Sequence, residues 1–250
     1  MIHYHGTPIG GSRQDVSRFL MGRHALIPFG RQDDTGAVLD CCQSFCLDNG
    51  AFSHWKAGKG EIDFHAYWKW AHSLYRHPGF DWCLIPDIID GSESDNVDWV
   101  MLWVRSGARA KGVPVWHLHE SLEWLEWLVK SFDTIALGSS GEYKTPGTSK
   151  WWNRIAESMR VICNEEGRPK CKLHGLRMLD PGIFTKLPLS SADSTNAAVN
   201  CGSLSRFGSY LPPTSSQRAA VIADRIETHN SNAVFVSGIA QTTLFDEVME

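Results

Sequence analysis

Polar and acidic residues recur in this 250-residue sequence directly after short apolar runs. LDNGAF brings Asp48, Asn49 and Gly50, and IPDIID brings Asp87 and Asp90. WHLHE brings His117, His119 and Glu120, and ALGSSGE brings Gly138, Ser139, Ser140, Gly141 and Glu142. KLHGLRMLDP brings His174, Gly175, Arg177 and Asp180, and SSADSTN brings Asp193, Ser194, Thr195 and Asn196. Any single aspartate after an apolar run is as readily a turn or helix N-cap residue. Asp48, Asp87 and Asp193 repeat the pattern beside glycines that let a ligand approach the backbone, and this favours a site. Two or three carboxylates around one pocket suit chemistry at an acetal-like carbon. One attacks or stabilises an oxocarbenium-like centre while another moves the proton. Carboxylates also suit metal ligation.

For these residues to meet, the runs must be strands that end on one face. Strands are expected at Gln43–Asp48, Trp82–Asp87, Val113–His117, Thr134–Leu137, Lys172–Gly175, Leu189–Ala192 and Ala233–Val236. Most are continuously apolar, as in parallel strands buried on both faces. Helical stripes lie between them: Phe64, Tyr67, Trp68, Ala71, Leu74 and Tyr75, then Leu122, Leu125, Leu128, Val129 and Phe132. A third helix is expected with Ser149 as N-cap and Gly167 as stop, and a fourth over Ala219–Ile226. The alternation predicts an α/β chain with right-handed crossovers. No GxGxxG turn supports an open doubly wound sheet. The expected architecture is therefore a (β/α)8 TIM-type barrel, one domain over residues 1–250, with its site at the C-terminal strand ends. An eighth strand is not placed, and residues 1–40 read as an N-terminal cap or irregular first unit.

Hydrophobic residues at 42% and charged residues at 21%, with 11 Trp and 11 Phe, describe a chain with a sizeable core. The net charge of -4 argues against coating nucleic acid by charge alone. A local basic patch remains compatible, with Arg13, Arg18, Arg23, Arg31, Arg154, Arg160, Arg168, Lys170 and Lys172 as candidates. No run approaches the ~18 apolar residues of a membrane span, and MIHYHGTPIGG carries no apolar signal region. The 7 cysteines are odd in number and several lie in apolar runs. A reduced, cytoplasmic protein without disulfides and without a membrane partner is expected.

Taken in order, LDNGAF, IPD, ALGSSGE, LHGLRMLDP and SADSTNAAVN resemble the strand-end motifs of the tRNA-guanine transglycosylases, over about Gln43 to Gly202. The resemblance implies a barrel that replaces guanine in a polynucleotide with a 7-deazaguanine base, through a covalent aspartyl intermediate and without a cofactor. It makes Asp193 the nucleophile on the sugar C1′ and Asp48 the general acid/base. It makes Asp87 the reader of the base edge, with Asn49 also in the binding set. Gly138 and Ser139 would give contacts to the base carbonyl, and Glu142 would orient their loop. His117 falls near a glutamine of the family, and Arg177 would form a wall of the site. The family's CxC…CxxC…H zinc spacing does not occur here. That favours the short phage- or prophage-type relatives, and DNA over tRNA as the partner.

Two rival readings come from other residues. His3, His5, His117, His119, His174 and Asp193 could serve a metal-dependent barrel hydrolase. Trp151 and Trp152 beside Lys150 and Arg154 could serve a non-catalytic nucleic-acid-binding module, if they were exposed. As buried residues they would be core instead. Cys41, Cys42 and Cys46 read as buried thiols, not nucleophiles.

Overall fold

The structure is a computed structural model that describes residues 1–7, 13–56, 58, 63–89, 91–108 and 110–236. It runs β1 (Ile2–Gly6), α1 (Arg13–Leu20), β2 (His24–Pro28), α2 (Thr35–Cys41), β3 (Ser44–Asp48), α3 (Ala51–Lys56), α4 (Phe64–Leu74) and β4 (Phe80–Leu84). It continues α5 (Glu93–Arg105), β5 (Gly112–Val113), β6 (Val115–His117), α6 (Leu122–Ser131), β7 (Thr134–Gly138), α7 (Ser149–Ile162) and β8 (Lys172–Gly175). The last elements are α8 (Pro181–Phe184), β9 (Ser191–Ser194), α9 (Asn196–Asn200) and α10 (Ser215–Glu227).

The strands form one parallel sheet in the order β5-β4-β3-β2-β1-β9-β8-β7-β6. Its two ends, β5 and β6, are separated in the chain by Pro114 alone. Proline has no N–H for a ladder, so it interrupts one strand into two halves. The Pro114 carbonyl still accepts from Ala136 N–H at 2.9 Å, and the Val113 carbonyl accepts from Ile85 N–H at 2.9 Å. The sheet thus comes round on itself as a nearly closed barrel, with helices outside. The expected TIM-type barrel is the observed fold.

Three expectations are corrected. The N-terminal cap or irregular first unit expected over residues 1–40 gives way, among the described residues, to β1 and β2, which pair in register from Tyr4 with His24 to Gly6 with Leu26. These are the strands missing from the sequence reading. Ala233–Val236 is not a strand; it lies outside the sheet, where Phe235 N–H donates to the Gly167 carbonyl at 2.8 Å. Thr148, not Ser149, caps α7, accepting from Trp151 N–H, and that helix ends at Ile162, before Gly167.

Strand alternation builds two cores. In β3, Phe45 and Leu47 point outward into the sheet–helix layer, while Cys46 points into the barrel. The interior is filled by Tyr4, Leu26, Cys46, Trp82, Leu84, Val113, Val115 and Ala136. Asp48 continues the inward alternation of β3 above this plug. N-caps then fix where the loops stop and the helices begin. Asp63 accepts from Ala66 N–H, Ser92 forms a capping box with Asp95, and Ser121 accepts from Trp124 N–H. Each cap stabilises its helix by about 1 kcal/mol. Thr214 and Gln217 box the start of α10, which begins at Ser215, ahead of the expected Ala219.

That last helix is tied to the first strand. His5 Nε2 lies 2.8 Å from Glu227 Oε1, and Arg23 pairs with both Glu227 and Asp224. Burial alone would raise the Glu227 carboxyl, but hydrogen bonds from His5 and Arg23 outweigh it and hold the group at about 2. All 7 cysteines are free thiols, buried or half-buried. Among the described residues no helix is long and apolar enough to cross a membrane.

Candidate active site

A cavity of about 180 Å³ opens at the C-terminal ends of the strands. An apolar cavity of about 150 Å³ holds one benzene ring, so this one is on the scale of a single heterocycle. A wider, open hollow of about 880 Å³ lies at the opposite end of the barrel, lined among others by Lys111, Asp133 and Lys172. None of the expected site residues reaches it.

Asp48, Asp87 and Asp193 all line the small cavity. Asp48 ends β3 just before Gly50, whose φ of +82° turns the chain back. The turn lets Gly50 N–H donate to Asp48 Oδ1 at 3.1 Å. Burial raises this carboxyl; the Gly50 hydrogen bond opposes the rise, and the charges of Asp193 and Asp87 add to it. The result is a pKa pushed up to about 7, suited to giving and taking a proton near neutrality.

Asp193 sits on β9 and is held on one side only. Arg177 N–H donates to its Oδ1 at 3.0 Å, and His174 Nε2 lies 3.2 Å from the same oxygen. Among the described residues its Oδ2 has no hydrogen-bond partner, leaving one lone-pair face for a ligand. His174 is fully buried, its Nδ1 2.9 Å from Ser191 Oγ, its ring walled by the edges of Trp82 and Tyr4. A neutral imidazole satisfies both contacts by donating from Nε2 and accepting the Ser191 hydroxyl at Nδ1.

Asp87 follows β4 and is held on both oxygens. Oδ1 accepts from Asn49 Nδ2 at 2.6 Å, and Oδ2 faces His117 Nε2 at 2.9 Å. The supports are themselves fixed. Asn49 Nδ2 also donates to the Ile85 carbonyl, and His117 N–H donates to Glu120 Oε2. Glu120 Oε1 accepts from Asn96 Nδ2 at 2.8 Å, and burial raises its carboxyl. Gly138 allows this close fit, since a Cβ there would stand 3.1 Å from both His117 Nδ1 and Val115 Cγ1.

The structure therefore brings Asp48, Asn49, Asp87, His117, Gly138, Ser139, Arg177 and Asp193 to one cavity. Several of their contacts differ from expectation. Glu142 does not join them: it is exposed and pairs with Lys150, because the turn at Gly141 (φ +53°) carries it outward. The Asn49 amide is turned to Asp87 and Ile85, so it positions the Asp87 carboxylate. Ser139 Oγ accepts from Trp151 Nε1 at 2.9 Å. Asp180 caps α8 through Gly182 N–H at 2.8 Å, and Asp90 lies outside the described residues. The support of Asp193 by His174, and the Asn96–Glu120–His117 chain, were not read from the sequence. Phe52 and Lys144, which also line the cavity, were not singled out either.

The rival constellations do not assemble. His3 and His5 contact α10 and the residues after it, at the His229 carbonyl and Glu227. His119 Nδ1 lies 2.7 Å from Ser140 Oγ. Among the described residues no three His, Cys, Asp or Glu side chains are grouped to hold a metal ion. Trp151 and Trp152 are buried, so they offer no open stacking face.

Comparison with known proteins finds no matching family model, no similar curated protein and no similar solved structure.

Proposed function

We propose that the protein is a base-exchange transglycosylase. It would replace guanine in DNA with a 7-deazaguanine, as the motif order resembling the tRNA-guanine transglycosylases implies. One observation carries the reading: a half-ligated carboxylate, Asp193, and a carboxyl poised near neutrality, Asp48, share a cavity of heterocycle size with a rigidly held third carboxylate, Asp87.

In this reading Asp87 accepts hydrogen bonds from the N–H edge of the base. Its own two donors use one lone pair on each oxygen and leave others for the ligand. Asp193 Oδ2 attacks C1′ as the C1′–N9 bond breaks, and protonated Asp48 gives its proton to the departing guanine. The entering base then returns a proton to Asp48, and its nitrogen displaces Asp193 from C1′. Two inversions give net retention. A base within a duplex cannot reach the cavity, so it must be flipped out or unpaired.

The test is an isotope-exchange assay with labelled guanine and single-stranded DNA, duplex DNA and tRNA in separate reactions. Label entering DNA, and none entering with Asp193→Ala of unchanged melting temperature, is the expected result. Full activity of Asp193→Ala, or no label in any polymer, overturns the proposal.

A further inference from the structure

The cavity holds a heterocycle and little more, so the sugar and phosphates of any bound nucleotide must lie at its mouth. The floor is acidic, with Asp48, Asp87 and Asp193, and the whole chain carries a net charge of -4. Something local must attract a polyanion to that opening. At the mouth stand Arg177 and Lys144, both exposed and both lining the cavity. Among the described residues neither side chain has a carboxylate partner.

Arg177 is placed unusually. Among the described residues it is the one non-glycine with positive φ, +58°. Such a conformation costs about 1–2 kcal/mol and persists where the surroundings impose it. Here it aims the Arg177 amide at Asp193 Oδ1 while the side chain reaches over to α3. The guanidinium lies 3.9 Å from the centre of the Phe52 ring. Stacking occupies the faces of a guanidinium and leaves its N–H edges for phosphate oxygens. Phe52 in turn lies 5.6 Å from the ring of Trp55, which is 47% exposed. Aromatic faces interleaved with cations beside a base-sized cavity are the makings of a single-strand binding surface.

We infer that Trp55, Phe52, Arg177 and Lys144 form a track for single-stranded DNA, in which Arg177 grips the phosphate beside the flipped nucleotide and Trp55 stacks a neighbouring base. The track rests on the base-exchange reading and adds the acceptor contacts to it. Because the Arg177 amide touches the nucleophile, the guanidinium is separated from the reacting centre by one side-chain length. That is the kind of span a sugar makes between its C1′ and its phosphate.

The experiment uses the full chain carrying Asp193→Asn, so that binding is read without turnover. Fluorescence anisotropy follows a short fluorescein-labelled single-stranded DNA with one guanine over a range of salt, and calorimetry follows free guanine. Arg177→Asn suits the backbone, since asparagine tolerates positive φ. It is expected to weaken DNA binding roughly tenfold, far more than guanine binding, and to reduce the salt slope by about 0.7. Trp55→Ala should weaken DNA binding roughly tenfold with the salt slope unchanged. Lys130→Ala, at the wide hollow away from the cavity, serves as the control. Unchanged DNA affinity in both track variants, with guanine and DNA still binding the parent, overturns the track and leaves the exchange reading standing. Equal loss of guanine and DNA binding in Arg177→Asn makes the residue a cavity wall and also overturns the track. A parent that binds neither guanine nor DNA overturns both.

Discussion

The Gly50 amide reaches one oxygen of Asp48, and it does not offset the burial of that carboxyl. The native protein therefore holds the Asp48 proton more tightly than the unfolded chain does, and the stability this confers is greatest below about pH 4. It is lost as the pH rises through the folded value of about 7. Asp48→Asn removes the titration with little change in shape. The variant is expected to be more stable than the parent by about 1–4 kcal/mol at pH 8, and equal to it near pH 4. Urea midpoints at the two pH values check this, and base exchange should be lost throughout. As the proposed nucleophile, Asp193 needs the opposite treatment, a fixed carboxylate with one open oxygen. His174→Phe keeps much of the buried volume but leaves Oδ1 with only the Arg177 amide. The expected outcome is a fall of roughly 10²-fold in kcat with KM little changed. A parallel fall in melting temperature with unchanged kcat would make His174 a packing residue only.

At the scale of elements, the clamp between β1 and α10 sets how the barrel tolerates acid. Glu227 has a folded pKa of about 2, below its ordinary value, so its contribution is present above about pH 4.5 and is lost as the pH falls towards 2. With its side chain 31% exposed, screening limits the gain. Glu227→Gln is expected to cost about 1 kcal/mol at pH 7 and much less at pH 3, read from urea midpoints. The same clamp explains what the sequence hid. β1 reads His-Tyr-His because His5 is a buried partner for Glu227 and Tyr4 is an interior residue whose hydroxyl donates to Asp81 at 2.7 Å. Polar residues satisfied by distant partners cannot be told from loop residues locally, so β1 was passed over. Ala233–Val236 erred the other way, an apolar run with no strand beside it among the described residues. The strand ends were legible because a parallel barrel gives them one destination. Asp48, Asp87 and Asp193 could therefore be gathered before any coordinate was known. Which oxygen of each carboxylate is occupied, and the outward turn of Glu142, depend on loop dihedrals that composition does not encode.

For the molecule as a whole, the ring of hydrogen-bonded strands has a single clasp at Pro114, where one strand changes neighbours from β4 to β7. A hoop with one joint does not share strain evenly. Fluctuations that loosen it need break only the short pairing of Cys83 and Leu84 with Gly112 and Val113. Amide hydrogen exchange is expected to show slow, nearly uniform protection from β3 through β1 to β8, with fast exchange at Gly112, Val113 and Val115 on either side of Pro114. Uniform protection across those residues would refute a weak joint. His117 lies just past the joint and carries one of the two bonds that hold Asp87. A weak joint there would give the far wall of the cavity its own compliance, while the wall bearing Asp193 is flanked by β1 and β8. Under the proposed base exchange, a pocket rigid at the reacting carbon and yielding at the edge of the base would take heterocycles of different outline through one and the same chemistry.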